Sequence, residues 1–452
     1  MTTSAPQPAE RSDRFAQTAP PDWTRSPGLA AGAAVALIIA AVGLVSSRVD
    51  LALLALPLVA AVVVSWNRRP PTGEDATVAV TLSEPSANEI GYALEIAAPE
   101  RTEAVVLRYG VLGAAEHELV VTCPPPGDLG GEVPLLHSGP QELVRVSYRF
   151  LSADAALSST PPKEPVVAAR AIAPSQLTIG SLPLPRHLQG LTGIHESSRA
   201  GDGGDFRDIH PFTPGDRLRR IDWKATARHG RNPGDLYIRR TSALAEATVL
   251  IVLDSFDDVG EQVAEWNRNA ADKKGLSSLD LAREAAGAIA SGYIRAGDRV
   301  GFQDLSSRAR MIAHAGGRRH LWKVLRAIET TAPAADRFRH QRAPIVPPGA
   351  LVYLLTSLLD DRAIGLGLIW RGNGHRVIAV DVLPAPRFAR STRYERIAHR
   401  ILMMEREDRI RTLHAGGIEI LRWSEDGSPR QARLHQLSRP SRQGGREIGG
   451  RR

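Results

Sequence analysis

The sequence predicts an α/β protein: a parallel-sheet domain preceded by a small β-sandwich and by an N-terminal two-helix transmembrane hairpin. Three observations predict this architecture. Two uncharged apolar runs lie near the N-terminus, short alternating runs follow them, and apolar strands alternate with helical stretches from residue 247 onward. A chain of 452 residues has room for two or three domains, and 43% hydrophobic with 23% charged residues is ordinary for a folded protein.

The first 67 residues contain the predicted membrane segment. Residues 1–27 are rich in Ala, Pro, Thr and Ser, and we expect them to be disordered. Within 28–67, Gly28–Ser47 and Leu51–Trp66 are each about as long as a membrane-spanning helix, and a tight turn separates them. A signal peptide fits poorly, because the first run starts late, lacks a compact basic start and is followed at once by the second run.

Charge around this predicted hairpin indicates its orientation. Arginines cluster on the outer flanks rather than in the turn, which holds only Arg48; the flanking arginines are Arg11, Arg14, Arg25, Arg68 and Arg69. Positive charge favours the cytoplasmic side of a membrane. We therefore expect a two-pass protein of the cell membrane with both termini and the soluble domains in the cytoplasm.

Residues 75–180 show apolar residues at every second position between Pro and Gly clusters, which predicts a small antiparallel β-sandwich. We expect His117 and His137 to be surface residues rather than a metal pair. The single cysteine, Cys123, cannot form an internal disulfide and makes redox chemistry improbable.

Residues 247–424 alternate strand and helix, beginning with the buried-strand run Ala247–Asp254. This order predicts a parallel sheet covered by helices on both faces, with functional groups at the carboxyl ends of the strands. Residues 427–452 form a Gly-, Ser- and Pro-rich stretch with many arginines, which we expect to be disordered. The formal net charge of +8 comes largely from this tail.

A charged stretch at 204–230, within the segment 184–246, precedes the first of these strands. Read as "GDFRDIHPFTPGDRLRRIDWKATARHG", it resembles the signature of the domain of unknown function 58 family; the shared elements are Phe206, Pro214, Gly215, Asp216, Arg219, Ile221, Trp223, Ala227 and Arg228. Two positions depart, with His210 and Phe212 where the family pattern has arginine and tyrosine. The resemblance extends over about Leu184 to Leu421. It implies a von Willebrand factor A-like domain that partners a MoxR-type AAA+ ATPase.

The residue chemistry of the signature gives two interpretations. Gly215 and Asp216 form a turn signal, and Asp216 can cap the backbone while pairing with an arginine. Asp222 belongs to the same charged group, and we expect Ile221 and Trp223 to pack inward. Arg219 and Arg228 are forked donors suited to carboxylates or carbonyls. The stretch is then either an ion-paired brace or, together with Phe206, a docking face for a partner; the members are Phe206, Gly215, Asp216, Arg219, Asp222, Trp223 and Arg228.

Von Willebrand factor A-like domains commonly bind a divalent ion through Asp-x-Ser-x-Ser, so the resemblance also raises a metal site. Here Phe256 replaces the first serine and has no ligand atom, while Asp258 replaces the second. The degenerate set is Asp254, Asp258 and Thr356, and hard oxygen ligands of this kind suit Mg²⁺. We expect no cofactor, and Mg²⁺ stays as an alternative.

The leading functional prediction is a membrane-anchored, non-enzymatic interaction module that acts with a MoxR-type AAA+ ATPase on a client protein. The resemblance implies that the module and the ATPase together assist the assembly or maturation of other proteins. One alternative is metal-dependent ligand binding through the degenerate site. The other is binding of anionic lipid or nucleic acid by the basic tail, and lipid is favoured because the tail is held near a membrane that attracts basic segments. We expect no enzyme, because the sequence shows no nucleophile elbow, phosphate-binding loop or zinc-protease motif.

Overall fold

The structure is a computed structural model that describes residues 13–438 except 69, 72, 87, 126, 153–154, 181, 187, 189–192, 233, 267–274, 306–310, 334–342 and 425–426. The chain divides into two compact units. The first comprises the residues up to Leu136 together with Pro140–Arg170. The second comprises His137–Gly139 and the residues from Ala171 onward. The whole is a mixed α/β protein with several sheets.

The first unit is built from two antiparallel sheets that share one core. Its strands are β1 (Asp13–Ala19), β2 (Trp23–Arg25), β3 (Ala76–Leu82), β4 (Glu89–Ala97), β5 (Ala104–Val111), β6 (His117–Thr122), β7 (Leu129–Pro134), β8 (Gly139–Ser152), β9 (Leu157–Ser159) and β10 (Val166–Ile172). One sheet has the order β1-β3-β4-β7 and the other β2-β9-β8-β5-β6, with β10 also on β8. Alternate residues of both sheets are buried, for example Val78 and Val80 against Val146 and Phe150.

The N-terminal strands correct part of the sequence prediction. Residues 1–12 lie outside the described residues, but residues 13–25 are not disordered. β1 pairs antiparallel with β3, and β2 pairs with β9, where Trp23 is buried in the core of the unit. The prediction was wrong because the segment's composition is that of a linker, while its strand structure comes from hydrogen bonds to partners far along the chain.

Two apolar helices lie between β2 and β3: α1 (Pro27–Val45) and α2 (Val49–Asn67). Ser26 caps α1 by accepting a hydrogen bond from the backbone N–H of Leu29. Gly43 lies so close to α2 that a Cβ there would be 2.5 Å from the backbone N of Ala52. α1 is long and apolar enough to cross a membrane, whereas the apolar part of α2, Val49–Ser65, is shorter.

The second unit is organised around a six-stranded sheet with the order β15-β14-β13-β16-β17-β18. All neighbouring pairs are parallel except the edge pair β14 and β15. The strands are β13 (Thr248–Leu253), β14 (Arg299–Asp304), β15 (Ile312–Ala315), β16 (Leu351–Thr356), β17 (Arg376–Asp381) and β18 (Glu419–Arg422). The helices are α4 (Ser278–Arg295), α5 (Arg318–Glu329), α6 (Asp361–Gly372), α7 (Arg393–Ala415) and α8 (Gly427–Ser438).

Both faces of this sheet are buried beneath helices. Val249 and Ile251 of β13 belong to the cluster that includes residues of α4, α5 and α8. Leu250 and Val252, on the opposite face of the same strand, belong to the cluster that includes residues of α6 and α7. The continuous apolar run of β13 is therefore explained by burial on both faces.

Helix α8 corrects the prediction of a disordered tail for residues 427–438. Leu434 and Leu437 are buried in the core of the second unit, and the guanidinium of Arg430 lies 4.6 Å from the ring centroid of Trp423. The Gly, Ser, Pro and Arg composition concealed one pair of leucines three residues apart, which is enough to bury one helix face. Residues 439–452 lie outside the described residues.

A buried carboxylate ties the segment His137–Gly139 to α4. Asp280 Oδ2 lies 2.6 Å from His137 Nδ1, while Oδ1 accepts hydrogen bonds from the Ser138 backbone N at 2.7 Å and from Ser138 Oγ at 2.8 Å. Arg283 donates to the Ser138 carbonyl at 2.8 Å. Burial alone would raise the pKa of Asp280, but the hydrogen bonds from His137 and Ser138 outweigh it and lower the pKa. His137 was predicted to be a surface residue; its side chain is instead only 13% exposed.

We predict that Asp280→Ala destabilises the protein strongly, because it leaves His137, Ser138 and Arg283 without their shared buried acceptor. The expected loss is about 3–5 kcal/mol in the free energy of unfolding. The control is Asp408→Ala, which removes an exposed ion pair with Arg411 on α7 and should cost less than about 1 kcal/mol. Denaturant unfolding of the full chain in detergent measures both; equal losses would contradict the assigned role of Asp280.

Candidate docking site and the carboxyl edge of the sheet

The signature stretch lies on a two-stranded antiparallel extension of the second unit. Strands β11 (His195–Pro211) and β12 (Tyr237–Ala245) pair with each other and not with the six-stranded sheet. Between them are a 3₁₀ turn at Leu218–Arg220 and a short helix, α3 (Trp223–His229). The signature residues from Pro214 to Arg228 therefore lie on the connection between two paired strands, and Phe206 lies in β11 itself.

The two signature aspartates stabilise the local backbone. Gly215 has a φ of +107°, a left-handed conformation that favours glycine. Asp216 accepts hydrogen bonds from the backbone N of Thr213 at 2.8 Å and from its hydroxyl at 2.7 Å, and these bonds lower the pKa of Asp216. Asp222 caps α3 by accepting from the backbone N–H groups of Lys224 at 3.0 Å and Ala225 at 2.9 Å. The predicted turn agrees with the conformation of Gly215, but Asp216 bonds to Thr213, which precedes it, rather than to the backbone that follows or to an arginine.

Trp223 points outward, which corrects the prediction that it packs inward. Its side chain is 69% exposed, whereas Ala225 is the buried residue of α3. Residues two positions apart lie on nearly opposite sides of a helix, so the small Ala225 contacts the extension while Trp223 faces away. Ile221, half-buried, forms an isolated bridge with Ile238. From the sequence alone, an aromatic residue close to an isoleucine suggests that both are buried. The sequence does not show which of the two side chains faces inward.

Trp223 is one of a group of exposed apolar and cationic side chains in the signature stretch. We call it the signature face; its members are Phe206, Leu218, Arg219, Trp223 and Arg228, all of them exposed. In the described part of the chain, Arg219 and Arg228 have no hydrogen-bond or ion-pair partner. Asp216 and Asp222, the acidic residues of the same stretch, accept hydrogen bonds from backbone N–H groups instead.

Polar side chains end four neighbouring strands of the six-stranded sheet and form its carboxyl edge. Asp254 follows β13, while Asp304, Thr356 and Asp381 are the last residues of β14, β16 and β17. All four are buried, and they are bonded to other protein groups. Thr356 Oγ1 donates to Asp254 Oδ2 at 2.8 Å, Ser255 Oγ donates to Asp304 Oδ1, and Arg406 pairs with Asp381. The carboxyl edge is thus an internally bonded network.

The degenerate metal positions do not form a ligand set in this geometry. Asp254 and Thr356 are in contact, but Asp258 accepts a hydrogen bond from the backbone N of Leu279 at 3.2 Å, at the start of α4. Phe256 is buried in the core, with the guanidinium of Arg362 4.9 Å from its ring centroid. Among the residues that the structure describes, no group of three or more His, Cys, Asp or Glu side chains is placed to hold a metal ion.

Burial raises the pKa of Asp254 from an ordinary value of 3.8 to about 7, and the nearby charge of Asp360 adds to the effect. The folded state therefore holds this proton more tightly than the unfolded state does. A carboxyl group whose pKa is raised by folding contributes stability that is fully present below its unfolded pKa and is lost as the pH rises through its folded pKa. Between about pH 4 and pH 7, Asp254 should therefore make the protein less stable as pH increases.

We predict that Asp254→Asn removes this contribution, because asparagine stays neutral while still accepting a hydrogen bond from Thr356. The Asn variant should gain stability relative to wild type as pH rises from 4 to 7, by on the order of a few kcal/mol. Melting temperatures of the full chain over this pH range provide the measurement, with exposed Asp361→Asn as the control. Parallel wild-type and Asp254→Asn profiles would refute the assignment.

Residues 208–386 match the family model described as Protein of unknown function DUF58. The matched range contains all of the signature face except Phe206, and it extends through α3 and β12 to the carboxyl end of β17. A search of curated proteins gives no match. The similarity of this chain to the DUF58 family therefore covers residues 208–386.

Proposed function

We propose that this protein is a membrane-anchored, non-enzymatic interaction module whose signature face binds a partner protein, a MoxR-type AAA+ ATPase acting on a client in assembly or maturation. The observation that carries the proposal is the exposure of Trp223 in the same short stretch as Arg219 and Arg228, which have no partner among the described residues. Of the tryptophans whose side chains the structure describes, only Trp223 and Trp322 are highly exposed. Exposed tryptophan and arginine together are typical of the energetic centres of protein interfaces.

The composition of the signature face favours a folded protein partner. Phe206, Leu218 and Trp223 supply three large apolar side chains, which can become the desolvated core of an interface. Arg219 and Arg228 can then donate hydrogen bonds to carboxylates of the partner without first breaking an internal ion pair. A docking role therefore accounts for the exposure of Leu218 and Trp223 and for the two arginines, whereas Phe206 also has the guanidinium of Arg239 5.2 Å from its ring centroid.

The domain that presents this face resembles a von Willebrand factor A-like domain in its general organisation. A mostly parallel sheet with helices on both faces supports that assignment. The engaged carboxyl edge supports a non-enzymatic role without a resident metal, because its carboxylates already have protein partners. Binding is then assigned to the extension formed by β11 and β12.

A two-pass membrane anchor is supported by where the apolar helices join the first unit. α1 begins directly after β2, and α2 is followed by β3; both strands belong to the sheets of that unit. If α1 and α2 both cross the bilayer, their outer ends must therefore emerge on the same side. Arg25 and Arg68 flank those ends, and positive flanks favour a cytoplasmic position for the soluble units.

We predict that Trp223→Ala weakens co-purification of the full chain with a MoxR-type ATPase from the same genome by about tenfold or more, because it removes a central apolar contact. The control is Tyr394→Ala on α7, which removes an aromatic side chain that is 83% exposed outside the signature face. This control should bind like wild type, and both variants should keep the wild-type melting temperature.

Undiminished binding by Trp223→Ala, with the control also unchanged, would remove the signature face as the docking site. Arg219→Ala combined with Arg228→Ala tests the cationic part and should also weaken binding. A rise in melting temperature with magnesium or manganese that Asp254→Ala abolishes would support metal-dependent ligand binding instead.

The anchor predicts a labelling pattern for single cysteines placed in a Cys123→Ser background. Ser47→Cys, in the turn between α1 and α2, should react with a membrane-impermeant maleimide added outside intact cells. Ser86→Cys, an exposed position in the first unit, should react only after the membrane is permeabilised. Equal protection of the two positions would contradict two spanning helices, and the reverse pattern would contradict the cytoplasmic orientation.

A further inference from the structure

Helix α5 has an outer face made of one tryptophan and four cations. These residues, Arg318, Arg319, Trp322, Lys323 and Arg326, form what we call the α5 face, and all of them are exposed, with Trp322 at 71%. At 100° per residue they occupy an arc of about 140° on the helix. The signature face and the predicted roles of the carboxyl edge involve none of these residues.

The inner side of α5 fixes the helix on the second unit. Val324 and Ile328 are fully buried in the core, and Leu321 packs against the same cluster. His320 Nε2 lies 2.7 Å from the carbonyl oxygen of Val300 in β14. The helix is therefore held by its inner side, and its cationic side is presented in a fixed orientation.

The cations of the α5 face are not neutralised within the fold. In the described part of the chain, Arg318, Arg319 and Lys323 have no ion-pair partner. Arg326 lies 3.4 Å from Glu329, the one acidic residue of the helix sequence. Four like charges around a single aromatic ring repel one another, and an anionic partner would relieve that repulsion.

We propose that the α5 face binds the surface of an anionic lipid bilayer. Tryptophan between cations suits the headgroup region, where its amphipathic ring is favourable and Lys and Arg are attracted to anionic lipid. A protein interface needs several apolar side chains at its centre, whereas Trp322 is the only apolar residue of this face. The inference rests on the proposed membrane anchoring, which would hold the domain beside a bilayer at high effective concentration.

The experiment uses the full chain reconstituted in nanodiscs of phosphatidylcholine, with or without phosphatidylglycerol. Lipids brominated near the headgroup quench tryptophans that contact the bilayer, and the difference between wild type and Trp322→Phe isolates the quenching of Trp322. We expect this quenching in discs that contain phosphatidylglycerol and not in phosphatidylcholine alone. Arg318→Glu, Arg319→Glu and Lys323→Glu together should abolish it, and added salt should reduce it.

Trp223, exposed to a similar extent in the same unit, is the matched control, and its quenching should not differ between the two lipid compositions. Unquenched Trp322 in anionic discs, or equal quenching in both lipids, overturns the proposal. An emission shift of Trp322 with polyglutamate but not with anionic discs would assign the face to an acidic protein. Co-elution of chain and disc reports the anchor separately, so failed insertion of every variant would refute the anchoring rather than the α5 face.

Discussion

Burial of both faces of the six-stranded sheet is the constraint on which the rest of the second unit depends. Because residues on both sides of β13 are fully buried, each face needs its own layer of helices. α8 helps to cover one of these faces, because Leu434 and Leu437 are buried in the same core as the residues on that side of β13. Helices in such layers keep one side for the core and leave the other for solvent or a partner, and α5 divides its residues in this way.

The same constraint explains the chemistry of the carboxyl edge. In open sheets of parallel strands, ligands commonly bind where the strands end. Here the helices and loops bury those ends, and a buried carboxylate is costly unless it gains hydrogen bonds, a cationic partner or a proton. Asp381 forms an ion pair with Arg406, and Asp304 accepts a hydrogen bond from Ser255. Asp254 accepts a hydrogen bond from Thr356 and has a raised pKa.

The sequence predicted those features whose signal lies in residues close together along the chain. Apolar runs gave β13 and the membrane-length helix α1, and the turn residues around Gly215 indicated the start of the signature connection. β1, β2 and α8 were missed, because their order depends on partners that lie far away in sequence. The orientation of Trp223 was missed for a related reason: a helix of seven residues is too short for its apolar pattern to define an inner side.

The bonded carboxyl edge and the exposed extension differ in what it would cost to bind a partner there. If Asp254 and Asp381 bound a ligand, they would have to give up Thr356 and Arg406, so binding there carries the cost of breaking buried interactions. Trp223 and Arg219 carry no such cost, because the fold does not use their side chains. A partner can therefore be recognised at the signature face while the sheet beneath keeps its packing. This difference in cost is the physical reason to expect recognition on the β11 and β12 extension rather than at the ends of the strands.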